Sequence, residues 1–251
     1  MTRVIAVANQ KGGVAKTTTV HTLGAALVEK GQRVLLVDLD PQACLTFSNG
    51  INPEELDRSL HDVMLGRADA ADVLVKVGDL HLLPSTIDLA GAEVHLLSKT
   101  GREFQLRRGL EPLLVSYDFI LIDCPPSLGI LTINGLTAAS EVIVPLQCEV
   151  LSQRGVGQLL ETIQDVRAFT NPRLEVRGVI ATMFDSRTKL AQQVIDDVPT
   201  QYGLQVLLPP VPKSVKVAEA PSCGRSILTH APSSKGAVAY RELAERLLEP
   251  V

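Results

Sequence analysis

The stretch Val4-Ile5-Ala6-Val7-Ala8-Asn9-Gln10-Lys11-Gly12-Gly13-Val14-Ala15-Lys16-Thr17-Thr18-Thr19-Val20 decides the fold. Its first five residues are an unbroken apolar run, which suits a strand buried on both faces. Residues 9–15 are polar and glycine-rich. From Lys16 to Lys30 the spacing turns helical, with Val20, Leu23, Leu27 and Val28 on one side and Gly31 as a stop. Glycines let backbone N–H groups turn inward on an anion, and the helix that follows adds its positive end. Lys16 supplies a point charge for β and γ phosphates, and the Thr17 hydroxyl is placed to ligate Mg²⁺.

Outward from this loop the same alternation repeats. RVLLVD (Arg33 to Asp38), Leu80 to Leu83, DFILID (Asp118 to Asp123), EVIVPL (Glu141 to Leu146), Leu174 to Thr182 and Gln205 to Leu208 read as strands. Helical patterns lie at Leu60 to Leu65, Ala70 to Val75, Leu89 to Leu97, Phe104 to Leu114, Leu131 to Ala139, Val156 to Phe169, Leu190 to Tyr202 and Ala237 to Leu248. Residues 39–58 read as loop, and PPVP at 209–212 as a rigid loop. The pattern predicts an α/β fold: a doubly wound, mostly parallel sheet flanked by helices, one domain over residues 1–251. Ligands of such sheets sit past the carboxyl ends of the strands.

Two acidic strand ends fall at that position. DLDPQ places Asp38 and Asp40 after the second strand, and DFILID ends at Asp123 before Cys124-Pro125-Pro126-Ser127-Leu128-Gly129. Carboxylates there hold metal-bound water or orient an attacking water.

The general phosphate-loop pattern GxxxxGK[ST] fails, because Gln10 and Ala15 stand at its two glycine positions. The loop instead resembles the deviant Walker A motif, KGGxxK[ST], of the ParA/MinD family of ATPases. DLDPQ and DCPPSLG resemble that family's two switch motifs. The resemblance spans nearly the whole chain, is strongest at 4–20, 34–42, 118–129 and 179–226, and points to ParA/Soj-type partitioning ATPases. It implies the P-loop NTPase fold, with ATP/ADP and Mg²⁺ as ligands. Lys11, Gly12, Gly13, Val14, Ala15, Lys16, Thr17 and Thr18 would cradle the nucleotide. Lys11 would cross to the ATP of the other subunit in a nucleotide-sandwich homodimer, stabilising charge in trans. Asp40 would direct the hydrolytic water. Thr17, Asp38, Asp40 and Asp123 would serve the metal. Pro212 and Ser214 would frame adenine, with serine where relatives have asparagine. Ala15 departs from the family's usual glycine; if φ is positive there, its Cβ costs roughly 1 kcal/mol.

Composition bounds the partners. The 251 residues carry 24 Lys+Arg against 28 Asp+Glu, a net of −4, with 3% aromatics and no Trp. That weighs against a nucleic-acid-coated protein and against a base-stacking platform. The charge is uneven, however: residues 173–251 carry ten basic and eight acidic side chains, and the rest is net −6. Arg187, Lys189, Lys213, Lys216 and Arg225 resemble the residues with which ATP-bound relatives grip double-stranded DNA without sequence preference. A ParB-like partner is implied by resemblance alone.

Other readings stay open. A MinD-like membrane switch needs a basic amphipathic terminal helix, whereas 240–251 is acidic on balance and reads as a helix packed on the domain. An iron–sulfur ATPase needs matched cysteines, and Cys44, Cys124, Cys148 and Cys223 are scattered small hydrophobes that are expected to be buried. A positioning ATPase for another cargo and a scaffold without activity also remain. Opening at its first strand, the chain is expected to have no leader, no spanning segment and no helix-turn-helix extension of the kind some relatives carry. The expected place is the cytoplasm, on the nucleoid.

Overall fold

The computed structural model describes residues 2–148 and 153–249. Among these, eight strands form one sheet: β1 (Arg3–Val7), β2 (Val34–Asp38), β3 (Val75–Val77), β4 (Leu80–Leu83), β5 (Phe119–Asp123), β6 (Glu141–Gln147), β7 (Glu175–Thr182) and β8 (Val206–Leu207). Their order is β3-β4-β2-β5-β1-β6-β7-β8. All neighbours run parallel except β3 and β4. The doubly wound, mostly parallel α/β sheet read from the sequence is therefore the observed one.

Alternation along β1 shows why its run is unbroken. Val4 and Ala6 enter one core, while Ile5 and Val7 enter the other. The second core is covered by α1 (Lys16–Glu29) and by the last helix, α12 (Lys235–Leu248). The first is covered by α3 (Leu60–Leu65), α5 (Leu89–Leu97), α6 (Gln105–Leu110), α7 (Ile130–Ala138), α8 (Gln153–Phe169) and α9 (Lys189–Tyr202). A strand with helices on both faces has no polar side to show, and its sequence loses the alternating pattern.

Several local expectations are corrected. The span 39–58 is not all loop: it holds α2 (Cys44–Ser48) and a 3-10 turn, Pro53–Glu55. The helix at 70–75 is shorter, α4 (Ala70–Val73), and Val75 instead opens β3, which folds back on β4 through Gly78 at φ 58°. The helix of 104–114 breaks at Pro112 into α6 and a 3-10 segment, Glu111–Ser116. The stretch after 212 holds α10 (Val215–Glu219) and α11 (Ile227–His230). Cys124 and Cys148 are buried as expected, but Cys44 and Cys223 are exposed. The terminal helix does pack on the domain: Tyr240, Leu243, Ala244 and Leu247 are buried. Among the described residues no helix is long and apolar enough to cross a membrane.

Candidate functional site

The glycine-rich loop joins β1 to α1 at the centre of the sheet. Asn9 anchors it: its amide donates to the Pro145 carbonyl at 2.8 Å, and its Oδ1 accepts the Lys11 N–H at 3.0 Å. From the other side, the Thr182 hydroxyl at the end of β7 donates to the Val14 carbonyl at 3.1 Å. The loop is thus pinned to β6 and β7 before any ligand arrives. Ala15 ends it at φ 68°, the left-handed conformation that its departure from glycine called into question.

Lys16 is buried and turns its Nζ onto the Lys11 carbonyl, 3.1 Å away. Burial lowers its pKa; the negative charges of Asp123 and Asp40 hold it up. The Lys11 ammonium reaches Gln147 Oε1 at 3.3 Å.

The two acidic strand ends are adjacent, because β2 and β5 pair with Asp38 opposite Asp123. Asp38 is well served: the Thr46 N–H and hydroxyl both donate to its Oδ2 at 2.7 Å, and the Asp40 N–H reaches Oδ1 at 3.3 Å. Burial nevertheless pushes its pKa up to about 7. Asp123 is buried without such help, and neither carboxylate oxygen has a hydrogen-bond partner. Burial and then the Asp38 charge raise its pKa well above the ordinary range. The nearby Thr17 hydroxyl tempers that rise but makes no bond of good geometry to either oxygen. An orphaned buried carboxylate beside a hydroxyl suits a hard divalent cation such as Mg²⁺. Among the described residues, no three His, Cys, Asp or Glu side chains form a metal cage of their own. Mg²⁺ commonly takes one or two carboxylates and leaves its other positions to phosphate and water.

Part of this set borders a cavity of about 890 Å³, whose lining includes none of Lys11, Val14, Asp38 and Asp123. Gly12, Gly13, Ala15, Lys16, Thr17, Thr18 and Asp40 line it, together with Pro212, Lys213 and Ser214. Lys11 and Val14 contribute backbone contacts to the loop. Among the described residues, the non-glycine positions with positive φ are Ala15, Ala43 and Met183, and all three line this cavity. Strain of that kind persists where the surrounding structure imposes it, and it gathers at functional sites.

The basic residues read from the sequence are all exposed. Arg187 is held by Asp185 through Nε at 2.9 Å and Nη2 at 2.7 Å. Lys213 lies close enough to Asp185 to lower its pKa further. Lys189 begins α9 and Lys216 lies in α10, with Arg225 beyond it.

Sequence reasoning missed Asn9, Thr46, Thr182 and Tyr240. Only Asn9, next to the glycines, carried a local signal; the others arrive from distant elements.

A family model described as an AAA domain matches residues 2–176. The chain is 44% identical over 249 residues to the sporulation initiation inhibitor protein Soj of Bacillus subtilis, covering 98% of each. It is 44% identical over 250 residues to the chromosome partitioning protein ParA of Caulobacter vibrioides, covering 98% of this chain and 94% of that one. A solved structure from Mycobacterium smegmatis, described as a cobyrinic acid a,c-diamide synthase with bound ATP analogue and magnesium, is 54% identical with a TM-score of 0.89, covering 99% and 95%.

Proposed function

Because the chain belongs to the family of Soj- and ParA-type partition proteins with a P-loop AAA domain, we propose that it is an ATP-dependent dimerisation switch. It binds ATP with Mg²⁺, closes into a nucleotide-sandwich homodimer, grips DNA without sequence preference in that state, and resets by slow hydrolysis. The observation that carries the reading is the unpartnered Asp123 carboxylate, buried beside Lys16 and Thr17.

Each residue has a task in this scheme. The loop N–H groups and Lys16 hold the phosphates, for which Lys16 leaves the Lys11 carbonyl. Thr17 and Asp123, with Asp38 behind, would hold Mg²⁺, which would neutralise charge on the phosphates. The partner's Lys11 adds a cation in trans. Asp40 orients water in line. Pro212 and Ser214 border the base. Arg187, Lys189, Lys213, Lys216 and Arg225 are doubled by dimerisation, so avidity links nucleotide state to DNA affinity. A ParB-like protein would set the timing of hydrolysis, on the nucleoid in the cytoplasm.

The test is the Asp40→Ala variant. With Mg-ATP it should sediment as a stable dimer, retain duplex DNA at low salt and hydrolyse no ATP. Wild-type hydrolysis by that variant removes Asp40 from its role. DNA retention indifferent to ATP removes the switch.

The 54%-identical structure suggests a second reading by its description, ATP-dependent amidation of a corrinoid acid. Amide nitrogen drawn from glutamine calls for a nucleophilic thiolate. Burial raises the thiol pKa at Cys124 and Cys148 instead, and partial desolvation with nearby carboxylates raises that of the exposed Cys44. Incubation with a corrinoid carboxylate, ammonium and Mg-ATP separates the readings by whether an amide forms.

A further inference from the structure

Tyr240 is used by neither the loop, the acidic strand ends nor the basic surface. It lies in α12, far along the chain from the loop, and is fully buried. It lines the cavity together with Thr17 and Thr18. Its hydroxyl meets that of Thr19 at 3.1 Å, and Thr19 is completely buried as well. Thr19 sits one turn into α1, where its N–H donates to the carbonyl of the strained Ala15 at 2.9 Å. A buried phenol needs a partner. Burial pushes the Tyr240 pKa up to about 12, so the hydroxyl stays a neutral donor and acceptor near neutral pH.

The position of α12 does not depend on this bond. Arg241 grips Glu29 at 2.6 and 3.0 Å, and Lys30 pairs with Glu245. At the far end Arg3 donates to the Leu247 carbonyl and Arg177 to that of Arg246. Leu243, Ala244 and Leu247 are sunk in the core. The hydroxyl pair differs from these straps by being fully buried, and by including Tyr240, which lines the cavity.

We propose that Tyr240 is a positioning residue for the nucleotide. Through Thr19 it fixes the first turn of α1, and with it Lys16 and Thr17, against the cavity, so that cavity occupancy is felt in the terminal helix. This rests on the nucleotide reading given above.

The test compares the wild type, Tyr240→Phe, Thr19→Val and the double variant. Mg-ATP affinity is measured by calorimetry, α12 protection by hydrogen exchange, and stability by thermal unfolding. Tyr240→Phe leaves Thr19 unpaired and should weaken Mg-ATP by about three- to tenfold, the size of one net hydrogen bond. The double variant should lose less than the sum of the singles. Nucleotide should slow exchange in α12 of the wild type, and this slowing should vanish in Tyr240→Phe. Unchanged affinity in Tyr240→Phe, whatever its unfolding temperature, overturns the proposal, as does nucleotide-induced protection that persists in that variant. A wild type that takes up no Mg-ATP overturns the nucleotide reading and this inference with it.

Discussion

Asp38 and Asp123 stand opposite one another, in register, at the carboxyl ends of two adjacent parallel strands, and both are buried. Three donors serve Asp38; Asp123 has no hydrogen-bond partner. Burial raises both pKa values, and the Asp38 charge adds to the rise at Asp123. Ionising Asp123 therefore carries a cost, which a cation held there would offset.

Replacing Asp123 with Asn lifts that cost and, on the proposed reading, would remove the cation's anchor. Asp123→Asn should stabilise the nucleotide-free protein at neutral pH, because the amide carries no charge to bury, and the gain should fade as pH falls through the ordinary carboxylate range. It should also lose the gain in ATP affinity that Mg²⁺ brings. Thermal unfolding in chelator reads the first effect, and calorimetry with and without Mg²⁺ the second. A variant with undiminished Mg²⁺ dependence would show that Asp123 does not serve the metal.

Ala15→Gly tests the strained loop. Ala15 sits at φ 68°, where a Cβ costs on the order of 1 kcal/mol. Glycine relieves this but loses more entropy on folding. The net expectation is a gain of about 0.5 kcal/mol in denaturant unfolding. A loss in stability would mean that the alanine methyl makes a contact worth more than the strain.

The sheet was legible because strands covered on both faces read as unbroken apolar runs. Lys16, Thr17, Asp38 and Asp123 were legible because each follows such a run at the end where ligands bind. α2 and β3 were not, since five- and three-residue segments owe their form to neighbours more than to their own propensity. Thr46, Thr182 and Tyr240 were silent for a related reason. Each is a single polar residue whose partner lies 8, 168 and 221 positions away. Cys44 and Cys223 escaped burial because they sit on short helical segments at the surface, where no sheet face covers them.

His21 should contribute to acid sensitivity. It is buried in α1, and burial pulls its pKa from 6.5 to about 4. The folded protein thus holds fewer protons than the unfolded chain between those values. Its contribution is fully present above pH 6.5 and is lost as pH falls toward 4, by up to about 3 kcal/mol at roughly 1.4 kcal/mol per pKa unit. His21→Gln, which cannot titrate, should flatten the curve of unfolding free energy against pH over this window. An equally steep curve in the variant would assign the acid sensitivity to other groups.

Asp185→Asn tests the proposed DNA surface by adding charge. Arg187 is exposed, but Asp185 holds its guanidinium through two side-chain bonds, and Lys213 lies close to the same carboxylate. This group of three presents a net charge of about +1 to a phosphate backbone. Removing the carboxylate raises it by one per subunit and frees Arg187 to turn outward. ATP affinity is measured alongside, because Lys213, close to Asp185, also lines the cavity. Each added phosphate contact steepens the fall of log K with log salt by about 0.9. A dimer gaining two contacts should therefore bind duplex DNA more tightly at low salt, with a slope steeper by about 2. The measurement is retention of labelled duplex across a potassium chloride series, with and without Mg-ATP. The steeper slope should appear only with nucleotide, because only the dimer presents both clusters to one duplex. An unchanged slope would place the DNA contacts elsewhere on the molecule, and a steeper slope without nucleotide would separate DNA binding from the switch.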